Sequence, residues 1–213
     1  MFSGLLICFL IASCGEEKAA EGEEKAAEVE DEKSYRDSVY WEELKMRAEA
    51  GDAKSQYEFG YGYYGGDELD FDRALGRYKG PTQDYSEAVK WWRKAAEQGY
   101  ATAQNALATA YVNGKGIPED YNEAVNWWRK AAEQGNASAL VNLGRAYYKG
   151  VGVPENIVKA YMFTNLGYAQ DSGESRTKKT WLSLKEEIKS FMTNEQIAEG
   201  QKLTREWLER DTK

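Results

Sequence analysis

The word Ala-Val-Lys-Trp-Trp-Arg-Lys-Ala-Ala-Glu-Gln-Gly at residues 88–99 returns as Ala-Val-Asn-Trp-Trp-Arg-Lys-Ala-Ala-Glu-Gln-Gly at residues 124–135. The copies lie 36 residues apart and differ only at Lys90 against Asn126. A long word at such a period marks an array of stacked units, none of which can bury its apolar side alone. Within the first copy Ala88, Val89, Trp92, Ala95 and Ala96, with Tyr85 just upstream, fall at helical spacing and predict one packed face. The tandem tryptophans are expected to serve packing. One indole fills the core of its own unit and the other reaches the next unit, with its N–H near a partner. The competing reading is a sugar or aromatic ligand stacked on Trp91 or Trp127.

Working outward, the same period orders the flanks. Gln56-Phe59-Gly60-Tyr63, Gln104-Leu107-Ala108-Tyr111 and Leu140-Leu143-Gly144-Tyr147 each follow the i, i+3, i+4, i+7 pattern of a helix with one buried side. The Gly or Ala in third place lets a neighbouring helix approach closely. Gly66, Gly114 and Gly150 are read as the ends of these first helices, and the loops at 115–118 and 151–154 turn the chain. Asp84, Asp120 and Asn156 then stand as N-caps of the second helices. Three units are thus expected, at 52–99, 100–135 and 136–171. The first carries an insertion near 67–80, in which Asp70-Phe71-Asp72-Arg73-Ala74-Leu75 echoes Asp84-Tyr85-Ser86-Glu87-Ala88-Val89. It reads as a variable surface loop or as a partial duplication of the second helix.

Residues 38–51 predict an N-terminal capping helix with Trp41, Leu44 and Ala48 on one face, closed by Gly51. Residues 172–213 predict C-terminal capping helices that cover the apolar third unit, since a terminal repeat cannot leave such a face in water. Trp181, Leu184, Ile188 and Phe191 form the stripe of the first. Thr193-Asn194-Glu195-Gln196 reads as a capping box that starts the second, whose narrower face holds Ile197, Gly200, Leu203, Thr204 and Trp207. Docking of that last helix into another protein is the alternative.

The pattern Ala-x-Ala-Gln-x-x-Leu-Gly-x-x-Tyr-x-x-Gly-x-Gly-x-Pro-x-Asp-Tyr-x-x-Ala-x-x-Trp-x-x-Lys-Ala-Ala-x-x-Gly resembles the Sel1-like repeat (SLR), a relative of the tetratricopeptide repeat, over residues 48–171. The resemblance implies an all-α fold: a right-handed α-solenoid of antiparallel helix pairs with N- and C-terminal capping helices. It also implies a concave face that binds an unidentified protein or peptide, in an adaptor role. A regulator that restrains a periplasmic sensor would look the same in sequence. Turning away from the core stripe, the first helices offer Lys54, Glu58 and Tyr61, then Thr102, Ala106 and Thr109, then Ser138, Asn142 and Arg145, with Tyr57, Asn105 and Tyr148 on the flank. From these, the expected partner-binding residues are Tyr57, Glu58, Tyr61, Asn105, Thr109, Asn142, Arg145 and Tyr148.

The N-terminus reads differently. Leu5 to Ala12 is an apolar run too short to span a bilayer as a helix and of the size of a signal-peptide core. Ile11-Ala12-Ser13-Cys14 resembles the lipobox of bacterial lipoproteins, which implies a signal peptide at 1–13 and lipid attachment at Cys14. The region before Leu5 lacks the Lys or Arg usual in such peptides. Gly15 in place of Asp after the cysteine favours the outer membrane, facing the periplasm. Residues 14–37 form an acidic, low-complexity tether with almost no apolar side chain to bury. With nine acidic residues against three lysines in 15–34, this stretch holds most of the net charge of −8. No basic stripe points to nucleic acid.

Catalytic chemistry is poorly provided for. The chain has no histidine and two cysteines, Cys8 and Cys14, both consumed by the expected processing. This removes the usual catalytic base and the usual ligands of a zinc site, and leaves no thiol pair for a disulfide. Gly60-Tyr61-Gly62 and Gly65-Gly66 lack the lysine and preceding strand of a phosphate loop. The carboxylates of Glu42/Glu43 and Glu186/Glu187 point apart on a helix. The expectation is a non-enzymatic protein with no cofactor and no metal. One SLR branch is associated with β-lactams, but its repeats carry a bridging cysteine pair that is absent here.

Overall fold

A computed structural model describes residues 39–65, 82–171 and 176–210. The leader with Cys14, the acidic tether and the insertion near 67–80 lie outside the described residues, as does Gly66. Among the described residues there are nine helices and no strand. They are α1 (39–49), α2 (Ala53–Gly65), α3 (Tyr85–Glu97), α4 (Ala101–Asn113), α5 (Tyr121–Glu133), α6 (Ala137–Lys149), α7 (Ile157–Gln170), α8 (Arg176–Ser190) and α9 (Asn194–Arg210). Helices α2/α3, α4/α5 and α6/α7 pair within units, while α3/α4 and α5/α6 pack between them. The fold is the expected all-α solenoid.

The second helices begin where a carboxylate or amide caps them. Asp84 Oδ1 accepts from the N–H groups of Ser86 and Glu87 at 2.9 and 3.0 Å. Asp120 does the same for Asn122 and Glu123, and Asn156 accepts from Lys159 N–H. Such caps satisfy donors that the first turn of a helix leaves open. The loops between paired helices need glycine for two reasons at once. Gly116 and Gly152 hold φ of 74° and 69°. A Cβ at Gly116 would also overlap the carbonyl oxygen of Tyr85, and one at Gly152 that of Tyr121. Each loop therefore sits directly on the start of the preceding unit's second helix.

The repeated word is buried through both tryptophans. Trp92 lies in a notch over Gly60, where an added Cβ would come within 2.8 Å of its Cδ1. Its indole Nε1 donates to the Tyr57 carbonyl at 3.2 Å. Trp91 meets Phe59 edge-on at 5.0 Å and joins Leu44 and Ala48 of α1. Trp91 thus reaches back towards the preceding helix, while Trp92 belongs to the core shared with Leu107 and Ala108 of the next unit. One correction concerns the N–H groups: the Nε1 atoms of Trp91 and Trp128 are buried with no acceptor among the described residues. For Trp128 the cause is visible. Ala108 stands where Gly60 does, and the equivalent carbonyl, that of Asn105, is taken by the Thr109 hydroxyl at 2.9 Å. The methyl group closes the notch and leaves the donor unpaired, at a cost of about 1–3 kcal/mol.

The ends of the array depart from the repeat where capping requires it. Residues 39–51 align with 87–99, so Tyr40, Glu43 and Arg47 replace the buried Ala88, Trp91 and Ala95 and give α1 a solvent-facing outer side. In α7 the opposite happens. Met162 and Leu166 are buried where α3 has the exposed Lys90 and Lys94, and Phe163 takes the place of the buried Trp91. Both α8 and α9 pack on α7 to cover it. Trp207 of α9 meets Phe163 edge-on at 5.5 Å, and Gly200 lies against the Tyr161 ring. The capping box before α9 forms as read. Thr193 N–H donates to Gln196 Oε1 at 2.9 Å, and Gln196 N–H donates to Thr193 Oγ1 at 3.3 Å. Of the stripe expected on α8, Trp181 and Ile188 are buried, but Phe191 is 65% exposed because the helix ends at Ser190 and turns its ring towards Tyr148.

Filling the Gly60 notch is expected to destabilise the fold. Gly60→Ala should lower the unfolding free energy in urea by about 1–3 kcal/mol, the usual penalty for overpacking. Unchanged stability would show that the indole does not rest on the glycine.

Candidate functional site

The first helices α2, α4 and α6 lie side by side and turn one stripe each away from the core. On the shared register the stripes run Lys54-Glu58-Tyr61-Gly65, Thr102-Ala106-Thr109-Asn113 and Ser138-Asn142-Arg145-Lys149. The middle stripe is short-chained and half-buried over Thr102, Ala106 and Thr109, while Tyr61, Arg145 and Lys149 on its two sides are exposed. Long side chains on α2 and α6 thus flank a floor of small ones on α4. Successive first helices meet through single side-chain contacts, Tyr57 with Tyr100 at the start of α4 and Asn142 with Asn105. The result is a shallow trough with a short-chained floor.

The structure divides the expected binding residues into two groups. Four of them stitch neighbouring units together. Tyr57 packs on Tyr100 at 5.6 Å, joining α2 to the start of α4. Asn142 Nδ2 donates to Asn105 Oδ1 at 3.2 Å, joining α6 to α4. The Tyr148 hydroxyl donates to Glu187 at 3.1 Å, joining α6 to α8. Burial pushes the Tyr57 phenol up to about 12, so it stays neutral throughout the physiological range. Burial first, and then the bond to Glu187, raises that of Tyr148. The other four are Glu58, Thr109, Tyr61 and Arg145. Glu58 pairs with Lys54 at 3.6 Å, and Thr109 bonds its own helix. Tyr61 is 44% exposed, with its ring 6.1 Å from that of Tyr57. Arg145 is exposed and has no ion pair or hydrogen bond among the described residues.

One set of residues was missed by sequence reasoning. Gln56 Nε2 donates to the Ala48 carbonyl and Gln104 Nε2 to the Ala96 carbonyl, both at 3.0 Å. Their side-chain oxygens in turn accept from Gln98 at 2.7 Å and Gln134 at 2.8 Å. These glutamines close the open C-terminal carbonyls of the preceding helix and fix the pitch between units. The signal lay in the period, since Gln98, Gln134 and Gln170 recur every 36 residues and Gln56 and Gln104 share a register. The ladder stops where Leu140 replaces the glutamine.

A sugar stack on the tryptophans does not fit the geometry. Trp91 and Trp127 are each 8% exposed, with Lys94 Nζ 3.8 Å and Lys130 Nζ 4.0 Å from their ring centroids. Among the described residues no cluster of potential ligands could hold a metal ion, and no helix is long and apolar enough to cross a membrane. A literal Ser-x-x-Lys spacing occurs at Ser175–Lys178. Ser175 lies outside the described residues, and the Lys178 ammonium donates to the Asp171 carbonyl beside the Tyr168 ring.

Known proteins share this architecture. The family described as Sel1 repeat matches residues 53–100, 101–136 and 137–174, more than half of the chain. The secretory immunoglobulin A-binding protein EsiB of Escherichia coli is 40% identical over 58 residues, which is 27% of this chain and 9% of that protein. Among solved structures, a protective antigen of uropathogenic Escherichia coli with an SLR fold superposes with a TM-score of 0.63 at 28% identity. That match covers 78% of this chain and 32% of the antigen. A Sel1 repeat protein from Oxalobacter formigenes gives a TM-score of 0.54 at 32% identity, over 64% of this chain and 49% of that one. The chain therefore spans less than half the length of each of these relatives.

Proposed function

Because the chain belongs to the Sel1 repeat family, we propose that it is a lipid-anchored adaptor of the bacterial envelope that holds a protein or peptide partner in the trough of its first helices. Sel1 repeats build helical protein-interaction modules, and the relatives are bacterial. The observation that carries the reading is the contrast between the two sides of each unit. The second helices spend their large aromatic residues on packing, whereas the register-matched positions 61, 109 and 145 hold Tyr, Thr and Arg. Those positions are free of core constraints and can differ in chemistry from one unit to the next. Anchoring rests on Ile11-Ala12-Ser13-Cys14 after an apolar run, followed by an acidic spacer that would hold the solenoid off the lipid headgroups. A diacylglycerol with a further amide-linked chain anchors stably, where a single chain would be marginal. The outer membrane, facing the periplasm, is the compartment proposed.

Tyr61→Ala combined with Arg145→Ala should leave the thermal melt unchanged and abolish co-purification of the partner from cells. Retention of the partner by the folded double variant would remove the trough from the account. Separately, palmitate fed to a bacterial host should label the chain, and Cys14→Ser should abolish the label. An unlabelled, soluble wild-type product would end the anchoring proposal.

A further inference from the structure

The first helices are almost free of charge, and what is left unpaired on them has one sign. Their 13-residue stretches contain only Lys54, Glu58, Arg145 and Lys149 as charged residues, and α4 has none. Lys54 and Glu58 pair with each other across one turn of α2. Arg145 and Lys149 are exposed, and neither has an ion pair among the described residues. The acids facing this part of α6 from its neighbours, Glu187 and Glu155, act on Tyr148 at the flank, and Glu187 is held by its hydroxyl. The second helices differ: α3 and α5 carry both signs along their lengths. One wall of the trough is thus cationic and the opposite wall presents the exposed ring of Tyr61.

From this we infer that the partner segment is an extended acidic peptide of another protein, with an acidic–apolar–acidic core, lying along α4. The inference rests on the proposed use of the trough and names the chemistry of what fills it. Arg145 and Lys149 stand one turn apart on α6, about 6 Å at 1.5 Å per residue. In an extended chain, side chains at i and i+2 point the same way and lie about 6.6–7 Å apart. Two carboxylates in that spacing meet both cations, the guanidinium offering the planar fork that suits a carboxylate. The residue between them points to the opposite wall, where the exposed Tyr61 ring can meet an aromatic residue or proline. The short-chained floor of Thr102, Ala106 and Thr109 leaves room for the peptide backbone.

A phage-displayed library of random twelve-residue peptides, selected on the folded protein, tests this directly. The expected result is enrichment of peptides with Asp or Glu at i and i+2 around an aromatic residue or proline. A synthetic copy of the leading peptide should lose roughly tenfold or more in affinity to the Arg145→Glu/Lys149→Glu variant, and regain binding to it when its own acids are exchanged for lysine. The variant's circular dichroism and melting temperature should match the parent's, since neither side chain is packed. Enriched peptides that are neutral or basic, but still lost with Tyr61→Ala, would overturn the acidic-peptide inference and leave the trough standing. Peptides insensitive to both substitutions would overturn the use of the trough itself. No enrichment above the charge-reversed control would overturn the inference.

Discussion

The fold depends on how closely each second helix can approach its first. At Gly60 and Gly144 the absence of a side chain lets a neighbouring helix press against the backbone, with Trp92 in one case and Thr164 in the other. Large indoles can then fill the space between helices instead of wedging them apart, and the unit closes at interior density. Close packing of this kind uses up the aromatic residues of the second helices. It also orients the first helices, because a helix with its glycine side buried must turn the remaining stripe outward. The trough is therefore a by-product of the core.

A second constraint sets how one unit follows another. The glutamine ladder ties the start of a first helix to the carbonyl end of the helix before it, and Gly116 and Gly152 seat each loop on the previous unit. Tyr57, Asn105, Asn142 and Tyr148 add contacts along the outward face. Because neighbours are joined by short, geometrically specific contacts, the trough walls are held at a defined spacing. Preorganised surfaces lose less entropy when a peptide binds.

Much of this was legible in the residues. The 36-residue period, the helical spacing of Ala88, Val89, Trp92 and Ala95 and the capping residues Asp84, Asp120 and Asn156 are local signals, and the solenoid they predict is the one observed. What escaped were properties that arise only between elements. Nothing in the Trp-Trp pair itself says which indole points backward. Whether an N–H finds an acceptor depends on one methyl group at Ala108 and a hydroxyl at Thr109, on another helix. Phe191 fits the stripe by spacing, yet α8 stops one residue short of it. In the candidate site, Tyr61 and Arg145 are exposed as the wheel implied, while the other six expected residues are half-buried. The wheel could not tell that Asn105 and Asn142 would spend their amides on each other while Arg145 would stay unpaired.

On the proposed function, the first-helix trough meets the partner and the tryptophan-bearing side does not. A photo-crosslinking amino acid placed in cells at Thr109, on the trough floor, and at Asn126, on the exposed side of α5, compares the two surfaces in one protein. A discrete crosslinked partner is expected from position 109 and none from 126. A partner captured from 126 and not from 109 would contradict the proposed function.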